Sequence, residues 1–292
     1  MSAQRVVVVG DVMLDVVVRP RGALEATSDT VSEVRVARGG SAATFAVVLA
    51  RHGHEVSFVG ACGDDGAAGL VEESLARSGV HPRLQRTTGS TGVVVALVSD
   101  DGQRAMMTDR GANQLLDVDY VLATLADATH AHVSGYLLLD DATRDLARTV
   151  LREARAREIS TSLDVCSVAP LRAMTPEQFF DASVDVQTLF ANEEEALTLA
   201  GVRALDDAVN VLSACFEEVL VTRGARGAWW QAQTTRHTVD ALDVDVRDTT
   251  GAGDAATGAY LGARLSGASV FAAMRAAMDA GAAAVGQLGA PS

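Results

Sequence analysis

The sequence predicts an α/β protein with a mostly parallel central sheet, helices on both faces and a small β-sheet beside it. Short β-branched runs alternate with Ala-, Arg-, Leu- and Glu-rich helical patterns along the chain. The β-branched runs are continuously apolar, which is typical of parallel strands covered on both faces. Two other segments, 16–38 and 83–110, alternate apolar with polar residues and predict antiparallel strands outside the main sheet.

These patterns predict the following elements. The buried strands share short apolar runs, at 6–9, 56–59, 131–134, 161–165, 188–191 and 219–222. The helices share amphipathic or Ala-rich spacing, at 41–53, 67–79, 141–158, 193–200, 205–216, 253–266 and 268–286. The lid segments, 16–38 and 83–110 with a turn signal at 99–102, predict a cover over the strand ends, where open α/β sheets bind ligands.

The composition indicates one acidic, globular protein. The 292 residues contain no Pro/Gly linker, so we predict a single domain, 1–292, that includes the lid. A formal charge of −14 without an Arg-rich run argues against nucleic-acid binding and against an anionic membrane surface. The chain opens without a signal-peptide pattern, has no apolar run of spanning length and carries three scattered cysteines. These features predict a cytoplasmic protein.

Lysine is absent from the sequence, and all 24 basic residues are arginines. A P-loop, a protein kinase and a Schiff-base enzyme each need a lysine, so these classes are excluded. Nucleotide chemistry would have to use arginines, backbone N–H groups and a metal ion.

The run Asp-Thr-Thr-Gly-Ala-Gly-Asp at 248–254 is the most informative motif. Gly251 and Gly253 favour a tight turn, and a helical pattern follows them. The first N–H groups of such a helix suit an anion, and Asp254 would lie beside that anion as a proton acceptor. The alternative is a structural glycine turn with an acid stabilised by the helix dipole.

Several other motifs occur in a particular order around this turn. They share short Gly-, Asp- or Asn-containing sequences next to predicted strands, at 10–15, 38–44, 58–65, 91–93, 110–113, 192–195 and 221–227. In this order the chain resembles the ribokinase (PfkB) family of carbohydrate and nucleoside kinases over essentially its whole length. The resemblance implies a ribokinase-like, three-layer α/β/α fold with a β-sheet lid.

The resemblance also implies roles on the side of the phosphoryl donor. Asp254 matches the family's catalytic base, and the anion hole matches Gly251, Ala252 and Gly253. The nucleotide-binding positions correspond to Asn192, Thr222, Gly224, Gly227 and Met278. Asn192 and Glu195 match a motif that organises Mg²⁺ through water, although Asn-x-x-Glu is also a helix capping box. Asp248 resembles a monovalent-cation site of some relatives, which implies K⁺.

On the acceptor side, Asp15 matches the acid that binds sugar hydroxyls. Gly39 and Gly40 match the pair that lets the backbone approach the sugar, and Thr44 stands where the family often has Asn. Arg110 could meet a phosphate or a carboxylate of the substrate, or it could be a surface guanidinium. Asp11 is expected to be a solvated acid after the first strand.

The resemblance thus implies an ATP- and Mg²⁺-dependent kinase that phosphorylates a primary hydroxyl of a sugar. Ribokinases proper carry Asn where Met13 stands, and Thr44 also replaces an amide, so strict ribose specificity is not expected. A nucleoside kinase, such as one for pseudouridine, and a non-catalytic sugar- or nucleotide-binding regulator are the alternatives. The apolar stripes of the lid predict a homodimer formed lid to lid.

Overall fold

The computed structural model describes residues 3–25, 27–99 and 104–286 and shows two sheets. The large sheet contains nine strands in the spatial order β13-β12-β11-β10-β9-β8-β1-β4-β5. In chain order they are β1 (Arg5–Val9), β4 (Glu55–Gly63), β5 (His81–Thr87), β8 (His130–Ser134), β9 (Ser160–Asp164), β10 (Thr188–Asn192), β11 (Glu218–Thr222), β12 (Ala228–Ala232) and β13 (Thr235–Val239). Neighbours pair in parallel from β5 to β11, whereas β12 pairs antiparallel to both of its neighbours.

The small sheet contains four strands in the order β3-β2-β6-β7. They are β2 (Met13–Pro20), β3 (Ser32–Gly39), β6 (Gly92–Val98) and β7 (Arg104–Asp109). The pair β2–β6 is parallel, and the outer pairs β2–β3 and β6–β7 are antiparallel. Because β2 begins four residues after β1 ends, the small sheet leaves the large sheet at the carboxyl end of its strands.

Helices cover both faces of the large sheet. They are α1 (Ser41–Arg51), α2 (Gly66–Arg77), α3 (Val118–Ala123), α4 (Gly135–Leu139), α5 (Arg144–Ala156), α6 (Val168–Leu171), α7 (Pro176–Ala182), α8 (Glu193–Ala200), α9 (Leu205–Cys215), α10 (Ala252–Leu265) and α11 (Val270–Val285). Short 3₁₀ helices occur at Gly111–Leu115 and Gly224–Arg226.

Alternate residues of each strand enter two separate cores. In β1, Val7 and Val9 pack into the core that includes α3 to α9, while Val6 and Val8 pack into the core that includes α1, α2, α10 and α11. All four side chains are at most 4% exposed. This two-sided burial explains why β1 is apolar at every position from 6 to 9. The layered arrangement confirms the predicted three-layer α/β/α class.

The predicted lid segments need one correction. Residues 83–87 of the segment 83–110 belong to β5, which pairs in parallel with β4 at the edge of the large sheet. An edge strand is half exposed, and its alternating pattern therefore resembles that of the small sheet. The small sheet also begins at Met13 rather than at 16. The turn signal at 99–102 falls mainly on residues outside those that the structure describes.

The carboxyl ends of the central strands carry polar residues. β8 ends at Ser134, β9 at Asp164, β10 at Asn192 and β11 at Thr222. Because these strands are parallel, the four polar ends lie along one edge of the sheet, the edge at which the small sheet emerges. Within 3–25, 27–99 and 104–286, no helix is both long enough and apolar enough to cross a membrane.

Candidate active site

Two cavities meet at the beginning of α10. The small-sheet cavity has a volume of about 520 Å³ and is lined by residues of β2, β6 and β7 together with the starts of α1 and α10. The helix cavity has a volume of about 500 Å³ and lies between α10, α11, the turn after β11 and the segment 241–249. Thr249 and Gly253 line both cavities. A ligand in one cavity would therefore approach a ligand in the other beside Gly253.

The glycine turn at 251–253 starts α10 as the sequence predicts. Gly251 is the N-cap residue with a φ of 71°, a left-handed conformation that suits glycine. The first turn of a helix presents N–H groups without intrahelical partners, and these groups attract anions. A Cβ added to Gly253 would meet no atom within 4 Å. Gly253 therefore faces open space at the junction of the cavities.

Asp254 lies in this first turn and lines the small-sheet cavity. Its Oδ1 accepts a hydrogen bond of 2.6 Å from the hydroxyl of Ser41, the first residue of α1. Burial raises the pKa of Asp254, while the Ser41 hydrogen bond and the charge of Arg38 lower it in part. The carboxyl group is thus partly buried and still faces the cavity, where it could accept a proton from a bound molecule.

Asp15 lines the same cavity from β2. Burial raises the pKa of Asp15 to about 6 against the opposing charge of Arg38. Gly39 has a structural reason of its own, because a Cβ there would lie 1.9 Å from Oδ1 of Asp15. Gly39 therefore makes room for the Asp15 carboxylate, and only Gly40 lines the cavity. Thr44 also lines it and is 1% exposed.

Arg110 and Asp11 form a buried ion pair, which corrects two expectations. Asp11 is only 6% exposed instead of solvated, and both of its carboxylate oxygens accept 2.8 Å hydrogen bonds from Arg110. The remaining terminal nitrogen of Arg110 pairs with Asp140. Arg110 lines the small-sheet cavity and is therefore no surface guanidinium, but two carboxylates already neutralise its charge.

Asn192 and Glu195 form a complete capping box at the start of α8. Asn192 Oδ1 accepts from the backbone N–H of Glu195 at 2.9 Å, and Glu195 Oε2 accepts from the N–H of Asn192 at 2.8 Å. Glu195 is 3% exposed, and burial raises its pKa to about 7. The Asn-x-x-Glu motif therefore caps α8, as its structural interpretation predicts. Binding of a metal ion would be a second function of the same two residues.

The predicted nucleotide-binding residues gather mainly around the helix cavity. Thr222, Gly224, Gly227 and Met278 all line it. Gly227 has a structural reason as well, because its φ is 83° and a Cβ would lie 1.9 Å from the carbonyl oxygen of Val239. Asn192 does not line this cavity but lines a smaller one of about 390 Å³ that shares Thr222 and Gly224 with it.

Asp248 is 8% exposed and accepts a 2.7 Å hydrogen bond from the backbone N–H of Thr250. This bond shapes the turn that precedes the glycines, and Asp248 itself lines neither large cavity. Among the described residues, no three or more His, Cys, Asp or Glu side chains cluster in a way that could hold a metal ion. A cation retained through waters needs no such cluster.

The structure adds cavity residues that the sequence reasoning missed. Ser41, Tyr136 and Cys166 line the small-sheet cavity. Asp164, at the end of β9, accepts hydrogen bonds from the Cys166 N–H and from the Thr257 hydroxyl of α10. Ser41 could have been found, because it directly follows the glycine pair at a helix start. Tyr136 and Cys166 belong to no motif and carry no such signal.

A family model described as "pfkB family carbohydrate kinase" matches residues 3–292. The chain belongs to the PfkB family of carbohydrate kinases. The ATP-dependent ribose-1-phosphate kinase of Halopiger xanaduensis is 29% identical over 99% of this chain and 94% of that one. The ribokinase of Bacillus subtilis is 26% identical over 98% of this chain and 94% of its own length.

Solved structures of other kinases share this fold. Adenosine kinase from Sinorhizobium meliloti superimposes with a TM-score of 0.87 and 23% identity over 100% of this chain and 96% of that one. Ribokinase from Arabidopsis thaliana, solved with ribose and ATP, superimposes with a TM-score of 0.83 and 24% identity. The match covers 99% of this chain and 95% of that one. As a member of this family, the protein is a carbohydrate kinase.

Proposed function

We propose that this PfkB kinase transfers the γ-phosphoryl group of ATP to a primary hydroxyl of a sugar, with Asp254 as the general base. The observation that carries the proposal is the position of Asp254 in the small-sheet cavity, one residue after Gly253, where the two cavities meet. The sugar would occupy the small-sheet cavity and ATP the helix cavity.

In the proposed transfer, Asp254 accepts the proton of the sugar hydroxyl. The hydroxyl oxygen forms a bond to the γ-phosphorus, and the bond between that phosphorus and the bridging oxygen of the β-phosphate breaks, so that ADP leaves. The N–H groups of the turn at Gly251, Ala252 and Gly253 would stabilise the charge on the transferring group. On the acceptor side, Asp15 would accept hydrogen bonds from other sugar hydroxyls.

The charges of the small-sheet cavity favour a neutral acceptor. Asp11, Asp15 and Asp254 line it, and Arg110 is its only lining cation among the described residues. Because Arg110 is held by Asp11 and Asp140, it offers little to an anionic substrate. Ribose 1-phosphate is therefore expected to be a poorer acceptor than a free sugar, even though a relative is named for it.

A nucleoside is the second candidate acceptor. Met13, Val94, Met106 and Tyr136 form an apolar part of the cavity wall, against which a base could pack. This observation supports a nucleoside kinase, of which a pseudouridine kinase is one example, without removing the case for a free sugar.

Asn192 and Glu195 would hold Mg²⁺ through waters near the phosphates. Glu195 Oε2 accepts the N–H of Asn192 and so has a fixed orientation, which suits a water-mediated contact. The ion would neutralise phosphate charge that no lysine of this chain can neutralise. Asp248 and the Thr250 carbonyl would form a site for a monovalent cation such as K⁺.

The small sheet supports the proposal of a homodimer. On its face opposite Asp15, one row of registered neighbours reads Val36, Val16, Val95 and Met107 across all four strands. Val36 and Met107 are 53% and 54% exposed. A second copy of the sheet would cover this apolar face.

The three cysteines are free, which fits the expected cytoplasmic location.

The test is ADP release on a panel of free pentoses and hexoses, nucleosides and ribose 1-phosphate. We expect the fastest turnover with a neutral acceptor and a loss of about 10²–10⁴-fold in Asp254→Asn with nucleotide binding retained. Turnover of Asp254→Asn within threefold of the wild type would contradict the assignment of the base. Nucleotide binding without ADP release on every acceptor would indicate the non-catalytic regulator instead.

A further inference from the structure

Ser41 occupies a constrained place beside Asp254. It is the first residue of α1 and follows Gly40, whose φ is 97° and whose Cβ would lie 2.4 Å from the carbonyl oxygen of Asp11. The backbone before Ser41 therefore approaches the loop after β1 closely, which only glycine permits. The Ser41 side chain lines the small-sheet cavity, and its Oγ lies 2.6 Å from Oδ1 of Asp254.

We propose that Ser41 is a positioning residue for Asp254: its hydroxyl holds Oδ1 and leaves Oδ2 to receive the proton of the acceptor. This inference rests on the proposed role of Asp254 as the base. It assigns a function to a contact between residues 213 positions apart in the chain.

The donor in this contact is the serine hydroxyl, because an ionised carboxylate can only accept. Ser41 Oγ also lies 3.6 Å from the thiol sulfur of Cys166, and that sulfur lies 3.4 Å from the hydroxyl of Ser134. Sulfur is a weak acceptor, so the carboxylate is the better partner for the Ser41 proton. A hydrogen bond from a neutral hydroxyl to a carboxylate is short and directional, and it restricts rotation of the carboxyl group.

The same contact stabilises the charged form of Asp254. The other charged or titratable groups around Asp254 come from β3, α4, the end of β9 and α8; they are Arg38, Tyr136, Asp164, Cys166 and Glu195. Of these, Arg38 favours the carboxylate, and the others are acids whose ionised forms would repel it. Loss of the Ser41 hydroxyl would therefore make Asp254 harder to ionise.

The test compares Ser41→Ala with the wild type in the pH dependence of kcat/KM for the best acceptor. We expect the acid limb of the profile to move to higher pH by about one unit, the order of a single hydrogen bond to a charged group. We also expect the plateau of kcat to fall at least about threefold because the carboxyl group is less well oriented. The KM for ATP should stay within twofold.

Two further variants make the result specific. Ser41→Thr keeps the hydroxyl and should restore the acid limb to its wild-type position. Ser134→Ala removes a buried hydroxyl that contacts the same Cys166 sulfur but not Asp254, and its profile should match the wild type. Thermal unfolding of each variant shows whether it folds. If Ser41→Ala does not fold, Ser41→Thr and Ser41→Cys are compared instead. The acid limb should then shift only in Ser41→Cys, because a thiol is a weak hydrogen-bond donor.

Three outcomes would overturn the inference: an unchanged Ser41→Ala profile, a lower plateau without a shift, and an equal shift in Ser134→Ala. These failures are distinct from failure of the proposed function, which Asp254→Asn tests separately. If Asp254→Asn abolishes turnover while Ser41→Ala behaves as the wild type, Asp254 remains the base and Ser41 has no positioning role.

Discussion

Gly39 and Gly253 both lie near the candidate active site, but the missing Cβ matters for different reasons. At Gly39 a Cβ would lie within 2.5 Å of both carboxylate oxygens of Asp15, so a side chain would displace the carboxylate itself. At Gly253 a Cβ would meet nothing within 4 Å, so the protein alone does not require glycine there. In the proposed mechanism, the open space beside Gly253 holds the transferring phosphoryl group.

Gly253→Val should therefore abolish activity without unfolding the protein. We expect kcat to fall by at least about 10²-fold, the effect of losing an oxyanion contact, because the side chain occupies the junction of the cavities. The measurements are ADP release and thermal unfolding. A variant that melts early yet keeps its specific activity per folded molecule would instead support a purely structural role for the turn.

The buried histidines His130 and His132 should make the protein less stable in acid. Both are at most 2% exposed, and their ring nitrogens contact the hydroxyls of Ser160 and Ser162. Burial lowers the pKa of His130 to about 3 and that of His132 well below its usual value. The unfolded chain therefore binds more protons below about pH 6.5. The free energy of unfolding should fall as pH falls below about 6.5, by up to about 1.4 kcal/mol per pH unit for each histidine.

Urea unfolding of the wild type and His132→Phe at pH 8, 6 and 5 tests this. The difference between the two proteins cancels groups that titrate alike in both, including Asp15 and Glu195, whose raised pKa values act in the opposite direction. The advantage of the wild type over His132→Phe should shrink from pH 8 to pH 5. A difference independent of pH would show that His132 does not contribute to the acid sensitivity.

At the scale of the element, α8 has a structural and a proposed chemical function in the same two residues. Asn192 and Glu195 cap its N-terminus reciprocally, and the same side chains are proposed to hold Mg²⁺ through waters. Glutamine at the third helical position can complete a capping box as well as glutamate does. A substitution at Glu195 can therefore separate the two functions.

Glu195→Gln should keep the stability of the protein and raise the Mg²⁺ concentration needed for half-maximal activity, because the carboxylate charge is lost. Asn192→Ala, in contrast, should lower the free energy of unfolding by about 1 kcal/mol through loss of the cap. Magnesium titrations of ADP release and unfolding curves in EDTA provide both readouts. Undiminished ADP formation by the wild type in excess EDTA would refute a metal requirement altogether.

At the scale of the whole molecule, the two faces of the small sheet have different environments. The row Ala37, Asp15, Val94 and Thr108 runs across all four strands, and its last three members line the small-sheet cavity. The opposite face is apolar, and its outer strands are exposed at Val34, Val36 and Met107. One sheet can therefore cover the acceptor and pair with a second subunit.

Light scattering at micromolar concentration should give twice the mass of one chain. Val36→Glu places a charge in the apolar row and should produce a monomer. Val184→Glu is the matched control. Val184 lies between α7 and β10, outside the small sheet, and is 76% exposed. This variant should therefore remain a dimer. A fully active wild-type monomer would show that the small sheet is only a cover.

The fold class and most element positions were predictable because they depend on local patterns. The predicted strands from 6–9 to 219–222 and all the predicted helices occur in the structure, with ends that differ by a few residues. The missed strands, β5, β12 and β13, lie at the two ends of the large sheet. There a strand is covered by fewer neighbours, so its sequence lacks an apolar run such as that of β1.

By itself the sequence determined the α/β class and the glycine turn that opens α10, because each depends on residues close together in the chain. It also determined the resemblance to PfkB kinases, because the order of short motifs can be read without the fold. Only the tertiary structure decided which side chains pair. Arg110 meets Asp11 across 99 positions and Asp140 across 30, and Ser41 meets Asp254 across 213. Such contacts form because parallel strands bring their carboxyl ends to one edge of the sheet. Burial there is costly for a charged or polar side chain unless it is paired or hydrogen-bonded.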